Sequence, residues 1–140
     1  MKYKKISSLL IAVLTSISLV GCGNNSSKEV ENSTGGIIAT SVAVTEILDA
    51  LGVDVIGVPT TSYELPESTK GATEVGNPMS PDLEIIKSLN PSAVVSVDTL
   101  GSDYINLFKE NNIPSEFVSL ESLDGLKNAI DTLGTRFDKK

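Results

Sequence analysis

Histidine and tryptophan are absent from this sequence of 140 residues, and cysteine occurs once. Without histidine, these residues offer no Ser-His or Cys-His pair for nucleophilic catalysis and no imidazole to ligate a metal. They also contain no P-loop, no nucleophile elbow and no dinucleotide-binding glycine motif. The absence of these catalytic groups and motifs predicts that the chain is not an enzyme.

Basic residues are scarce as well. The sequence has 11 Lys and Arg against 18 Asp and Glu, which gives a formal net charge of −7. An acidic chain of this kind has no general attraction for nucleic acid or for an anionic membrane surface. We therefore expect no nucleic-acid partner and no polybasic membrane-binding face.

Residues 1–21 have the pattern of a secretory signal peptide. A short basic segment with three lysines precedes an apolar run over residues 6–20, which is shorter than a comfortable membrane span. The run ends in Leu-Val-Gly-Cys at residues 19–22, which resembles the lipobox of bacterial lipoproteins. The resemblance implies that Cys22 becomes the lipidated first residue of the mature protein, anchored at the extracellular face of the membrane. The alternative is a chance cysteine behind an ordinary signal peptide, although a lone free thiol outside the cell would be unusual.

The rest of the chain divides into a short tether and one small domain. Residues 22–35 are mostly small and polar, which predicts a flexible segment between the lipid anchor and the domain. From residue 36 to residue 140, short apolar runs alternate with segments of helical periodicity. That length suits a single domain.

This alternation predicts the fold class. Apolar runs centred on residues 37–39, 53–58, 93–97 and 117–118 are typical of buried strands, and helices are predicted after Ser41, Ser80, Ser102 or Asp103, and Ser122. The order is therefore β-α-β-loop-α-β-α-β-α. Such an order, with continuous Val- and Ile-rich strands, predicts an α/β fold with a parallel sheet and helices on both faces. The third of these helices is expected to bury Tyr104, Leu107 and Phe108.

The strongest local signal is Val-Gly-Asn-Pro-Met-Ser-Pro-Asp at residues 75–82. Ser80 is a good helix N-cap and Pro81 suits the first helical position, so a helix is predicted to begin there. Met79 precedes that cap, and Glu84 replaces the apolar residue that would usually pack on it. Two interpretations of Met79 stay open from these residues alone. It fills a gap in the core, or it faces a ligand, for instance as a soft ligand to a metal.

A ligand site is expected at one edge of the sheet. Ligands of parallel sheets bind outside the carboxyl ends of the strands, near helix N-termini. Four predicted loops meet that description and are rich in hydroxyl or soft apolar groups: residues 40–42, 59–63, 79–80 and 98–100. None carries a positive side chain, so an anionic ligand would be held by backbone N–H groups and hydroxyls. Helix capping explains each Ser or Thr taken singly, and the coincidence of four such loops is the evidence for a site.

Several of these segments together resemble the iron-complex substrate-binding lipoproteins of ABC importers. The resemblance rests on the lipobox, on Ile-Ile-Ala-Thr-Ser-Val-Ala-Val-Thr-Glu-Ile-Leu-Asp at residues 37–49, on Gly-Asn-Pro-Met-Ser-Pro-Asp at residues 76–82 and on Leu-Asn-Pro at residues 89–91. Among these segments, the motif that contains Met79 is the one specific to a family within this class. It is most similar to the haem-binding lipoproteins of the iron-regulated surface determinant system of Gram-positive bacteria.

The resemblance implies a class III periplasmic-binding-protein-like fold, with two α/β lobes joined by a long helix and haem in the cleft between them. In that family a Met of the N-terminal lobe and a His of the C-terminal lobe hold the iron, and the Met corresponds to Met79 here. Residues 36–140 then represent the N-terminal lobe, and these 140 residues lack the C-terminal lobe with its His. The positions that match the family's propionate-binding loops are Ser41, Val42, Thr61, Ser62 and Tyr63.

The function that the resemblance implies is the transfer of haem, bound as cargo, from upstream cell-surface haem proteins to an ABC permease. Two other interpretations stay open. One is a siderophore- or cobalamin-binding lipoprotein of the same fold. The other is a truncated surface lipoprotein that transports nothing.

Overall fold

The computed structural model describes residues 35–139. The predicted signal peptide (1–21), Cys22 and nearly all of the predicted tether (22–35) lie outside these residues. Over the described range, no helix is long and apolar enough to cross a membrane.

The main sheet is parallel and has five strands. They are β1 (Ile37–Ala39), β2 (Val55–Val58), β3 (Thr73–Glu74), β6 (Ala93–Val97) and β7 (Ser115–Val118), in the spatial order β3-β2-β1-β6-β7. Two further strands, β4 (Gly76–Asn77) and β5 (Ser80–Pro81), form a separate antiparallel hairpin. The helices are α1 (Val42–Ala50), α2 (Leu83–Ser88), α3 (Ser102–Glu110) and α4 (Leu123–Arg136). The predicted parallel α/β sheet is confirmed.

The sheet separates two apolar cores, because neighbouring residues of a strand face opposite sides. Ala39 of β1 belongs to the core beneath α1 and α4, where Leu48 and Leu133 are fully buried. Ile38, the preceding residue, belongs to the core beneath α2 and α3, where Phe108 is fully buried. Helices therefore cover both faces of the sheet, as the sequence predicted.

The start of α1 is confirmed, but the predicted start of α2 is wrong. Ser41 caps α1, and its Oγ accepts a hydrogen bond from the Val44 N–H at 3.3 Å. The cap of α2 is Asp82, whose Oδ1 accepts from the N–H groups of Glu84 and Ile85 at 2.9 and 3.1 Å. Ser80 lies in β5 instead. Asp and Ser are comparable N-caps, so the pairing of β5 with β4 decides between them.

Burial on α3 also differs from the prediction. Phe108 is buried and Tyr104 is half-buried, but Leu107 is 37% exposed. A nine-residue helix with a single fully buried side chain contacts the sheet along a narrow stripe, and Leu107 lies beside that stripe. The helical periodicity indicated which side of α3 faces the sheet, but it did not show how few residues on that side are buried.

Candidate functional site

A cleft of about 470 Å³ lies where three loops meet at the carboxyl ends of β1 and β2. Its volume falls within the range of small-molecule sites. Its lining residues are Val42, Thr60, Thr61, Ser62, Tyr63, Asn77, Pro78 and Met79. No Lys or Arg is among them, so a negatively charged ligand there would depend on N–H groups and hydroxyls.

The loop between β1 and α1 brings a helix N-terminus to the cleft. Thr40 is buried, and its Oγ1 donates to the Oγ of Ser96 at 2.8 Å, which ties the ends of β1 and β6 together. Ser41 uses its hydroxyl to cap α1, and Val42 lines the cleft at the first turn. That turn carries no acidic residue, so its partial positive charge is available to an anion.

The loop after β2 is joined to the segment around the hairpin. The N–H of Thr60 donates to the carbonyl of Gly76 at 2.9 Å, and its Oγ1 donates to Glu74 Oε2 at 3.0 Å. Farther along the loop, the N–H of Tyr63 donates to the Oγ1 of Thr61 at 3.1 Å. Three residues with aliphatic hydroxyls and the exposed ring of Tyr63 therefore line the cleft close to the hairpin.

Met79 lies in the turn between β4 and β5. Its side chain is 67% exposed and belongs to neither apolar core, so it fills no gap in the core of the described residues. Its N–H donates to Asn77 Oδ1 at 2.9 Å. The thioether is the soft donor of the cleft, and a ligand role for it remains a prediction.

The structure brings most of the predicted site residues together and separates two groups from them. Val42, the loop from Thr61 to Tyr63, and Met79 line one cleft. The Ser41 hydroxyl is occupied as a cap, and residues 98–100 do not line the cleft. The sequence placed Thr60 in one of the four expected loops, but it did not single out Asn77 or Pro78 as lining residues. Asn77 and Pro78 belong to the motif around Met79, so their position in the sequence was a usable signal.

A larger apolar groove lies between α1 and α4, lined mainly by aliphatic side chains such as Ile47, Leu126 and Ile130. We place the candidate site in the smaller cleft, because that cleft, unlike the groove, combines a soft donor with hydroxyl-rich loops and a helix start at the strand ends. In residues 35–139, no cluster of three or more His, Cys, Asp or Glu could hold a metal ion.

Known proteins are similar to this chain in both sequence and fold. The family model described as "Periplasmic binding protein" matches residues 37–140. The high-affinity heme uptake system protein IsdE of Staphylococcus aureus is 35% identical over 133 residues, covering 94% of this chain and 46% of that protein. The chain thus spans about half the length of the curated relatives it matches.

Two solved structures give the same result. An ABC transporter substrate-binding protein from Listeria monocytogenes superimposes with a TM-score of 0.72 at 38% identity, covering 75% of this chain and 41% of that one. The structure of S. aureus IsdE complexed with heme superimposes with a TM-score of 0.71 at 36% identity, covering 76% of this chain and 41% of that one. The Listeria protein is named as a substrate-binding protein of an ABC transporter, and IsdE is named as a heme uptake protein. With its family model matched from β1 to the last residue, this chain belongs to the periplasmic binding proteins.

Proposed function

We propose that this chain forms the N-terminal half of a haem site in a substrate-binding lipoprotein that delivers haem to an ABC permease. The observation that carries the proposal is the exposed Met79 thioether in a cleft with hydroxyl-rich loops and the start of α1. The similarity to IsdE, a heme uptake protein, supports haem as the cargo. Cell-surface haem proteins would supply the haem.

In this proposal Met79 binds the iron from one side. A thioether is an established axial ligand of haem iron. The exposure of Met79 leaves its sulfur accessible without any rearrangement of a core. Because these 140 residues contain no His, a histidine ligand on the opposite side would have to come from outside them.

The haem propionates would be held by uncharged groups. The first turn of α1, with Ser41 and Val42, offers backbone N–H groups and a favourable dipole. The loop of Thr61, Ser62 and Tyr63 adds hydroxyls and further N–H groups on the neighbouring side of the cleft. Hydrogen bonds from such donors to a carboxylate are stronger than those between neutral groups.

A siderophore or cobalamin cargo is the second candidate. A ferric siderophore surrounds its iron with its own hard oxygen donors, which leaves no coordination role for a thioether. The position of Met79 in the cleft therefore favours haem over a ferric siderophore.

Replacing Met79 by alanine is expected to weaken haem binding at least about tenfold, which corresponds to about 1.4 kcal/mol. With one axial ligand in these 140 residues, we expect the wild-type chain to bind haem with a Kd no tighter than about 1 μM. The measurement is a titration of the detergent-solubilised full chain with ferric and ferrous haem, followed by the shift of the Soret band. The shift should be lost in Met79→Ala.

Leu123→Ala is the matched control, because Leu123 on α4 has the same 67% exposure and does not line the cleft. It should keep the wild-type spectrum. An unchanged spectrum in Met79→Ala, or no shift in the wild type, contradicts the proposal. A parallel titration with a ferric siderophore and with cobalamin tests the second candidate, and binding to none of the three cargoes would favour a lipoprotein that transports nothing.

We propose further that Cys22 anchors the protein at the extracellular face of the membrane. Cys22→Ser is expected to move the protein from the membrane fraction to the soluble fraction of expressing Gram-positive cells, because a diacylated cysteine supplies the two chains that stable anchoring needs. Immunoblots of the two fractions measure this, with Ser26→Ala as the control. A serine variant that stays with the membrane like the wild type rules out the anchor.

A further inference from the structure

We propose that Asn77 is a positioning residue that holds the backbone of Met79 in place for ligation. The inference rests on the proposed function, because it concerns the residue assigned there to the iron. Asn77 and Met79 both line the cleft. The Oδ1 of Asn77 accepts the N–H of Met79 at 2.9 Å, so the side chain of one lining residue fixes the main chain of the other.

The hairpin that carries Met79 needs such support. Its two strands pair only through Gly76 with Pro81 and through Asn77 with Ser80. Isolated two-stranded hairpins are marginally stable in water even when they are longer. Other contacts must therefore hold this one in a single conformation.

The hydrogen bonds from outside the hairpin reach its two strands, β4 and β5, and not the backbone of Met79 in the described residues. The N–H of Thr60 donates to the Gly76 carbonyl at 2.9 Å at the start of β4. The hydroxyl of Tyr104 on α3 lies 3.3 Å from the Pro81 carbonyl and 3.5 Å from the Ser80 Oγ, both in β5. Within residues 35–139, Asn77 provides the one side-chain hydrogen bond to the backbone of Met79.

The residue types in the turn suit this role. An Asn side chain that bonds the backbone two residues ahead mimics a backbone turn, and Pro78 fixes φ at the position between. Met79 has a long, flexible side chain and, at 67% exposure, little packing around it. Restricting its backbone before haem arrives lowers the conformational entropy lost on binding, which is the general benefit of preorganisation.

The test compares Asn77→Ala, Asn77→Asp and Met79→Ala in the detergent-solubilised full chain. Aspartate keeps a side-chain oxygen that accepts the Met79 N–H, whereas alanine does not. Asn128→Ala is the control, because Asn128 is exposed on α4 and does not line the cleft. Three quantities are measured: the exchange rate of the Met79 amide hydrogen without haem, the affinity and spectrum on titration with haem, and the thermal unfolding midpoint.

Asn77→Ala is expected to accelerate amide exchange at Met79 and to weaken haem binding, each by about two- to tenfold, as the loss of one hydrogen bond predicts. It should also reduce the spectral signature that Met79→Ala abolishes. Asn77→Asp should restore these properties, and the unfolding midpoint should stay within a few degrees of the wild type in every variant.

Wild-type affinity and spectrum in Asn77→Ala, together with an altered spectrum in Met79→Ala, would overturn the positioning role and leave the proposed function standing. Unchanged amide exchange in Asn77→Ala would overturn it as well. An unchanged haem spectrum in Met79→Ala would overturn the proposed function, and the positioning role with it.

Discussion

Replacing Phe108 by alanine is expected to lower the free energy of unfolding by about 3–5 kcal/mol. Phe108 is fully buried between α3 and the sheet. Its ring packs edge-on against Phe117 of β7, with 5.6 Å between the centroids, and lies 6.1 Å from the ring of Tyr104. Removing it leaves a cavity that these neighbours fill only in part, and the aromatic contacts are lost as well.

Urea denaturation measures this loss as a change in the midpoint and in the extrapolated free energy of unfolding. Leu107→Ala is the matched control, because Leu107 precedes Phe108 on the same helix but is 37% exposed. We expect it to cost less than about 1.5 kcal/mol. Equal losses in the two variants would contradict the burial described for α3.

Gly76→Ala is expected to cost about 2–4 kcal/mol and to weaken haem binding. Gly76 has a φ of +98°, which side chains rarely adopt, and a Cβ added there would lie 2.8 Å from the backbone nitrogen of Asp82. Strain and crowding therefore act together at the base of the hairpin. Since Asp82 also caps α2, relief of the clash would displace either the helix start or the strand that leads to Met79.

Gly71→Ala separates the two causes. Gly71 has a similar φ of +94°, but no atom lies within 4 Å of an added Cβ. Its substitution should cost only the backbone strain, about 1–2 kcal/mol. Urea denaturation of both variants gives the difference, which measures crowding at Gly76, and equal costs would show that crowding contributes nothing there.

The parts of the fold that depend on local patterns were predictable. Apolar runs predicted β1, β2, β6 and β7, and the Ser41 cap predicted the start of α1, because both signals reside in a few consecutive residues. The short strand β3 was missed. It has two residues, both exposed, so it carries no periodic signal and exists through its pairing with β2.

In the segment around Met79, residue preferences alone did not predict the correct start of α2. Ser80 and Asp82 are both acceptable caps by residue type, and the sequence prediction chose Ser80. The pairing of Asn77 with Ser80 and of Gly76 with Pro81 places Ser80 in a strand and leaves Asp82 to start the helix. This pairing also puts Met79 at the tip of a hairpin instead of in a simple loop.

For the candidate site, the motif pointed to Met79, and the resemblance pointed to the loops around Val42 and Thr61. These residues line one cleft because of the tertiary structure. The strands β1 and β2 must pair before the loops at their carboxyl ends can come together. Which of the four hydroxyl-rich loops line the cleft also depends on the tertiary structure. Residues 98–100 follow a strand of the same sheet, but they do not line the cleft.

The amino-acid sequence by itself determined the class of the fold, the two-sided burial of its strands and the family motif around Met79. These follow from side-chain chemistry repeated at short, regular spacing. The tertiary structure decided which polar side chains act as caps, which line the cleft, and that Asn77 holds the N–H of Met79. Those outcomes depend on competing partners of similar strength, and only the packed arrangement of the whole lobe selects among them.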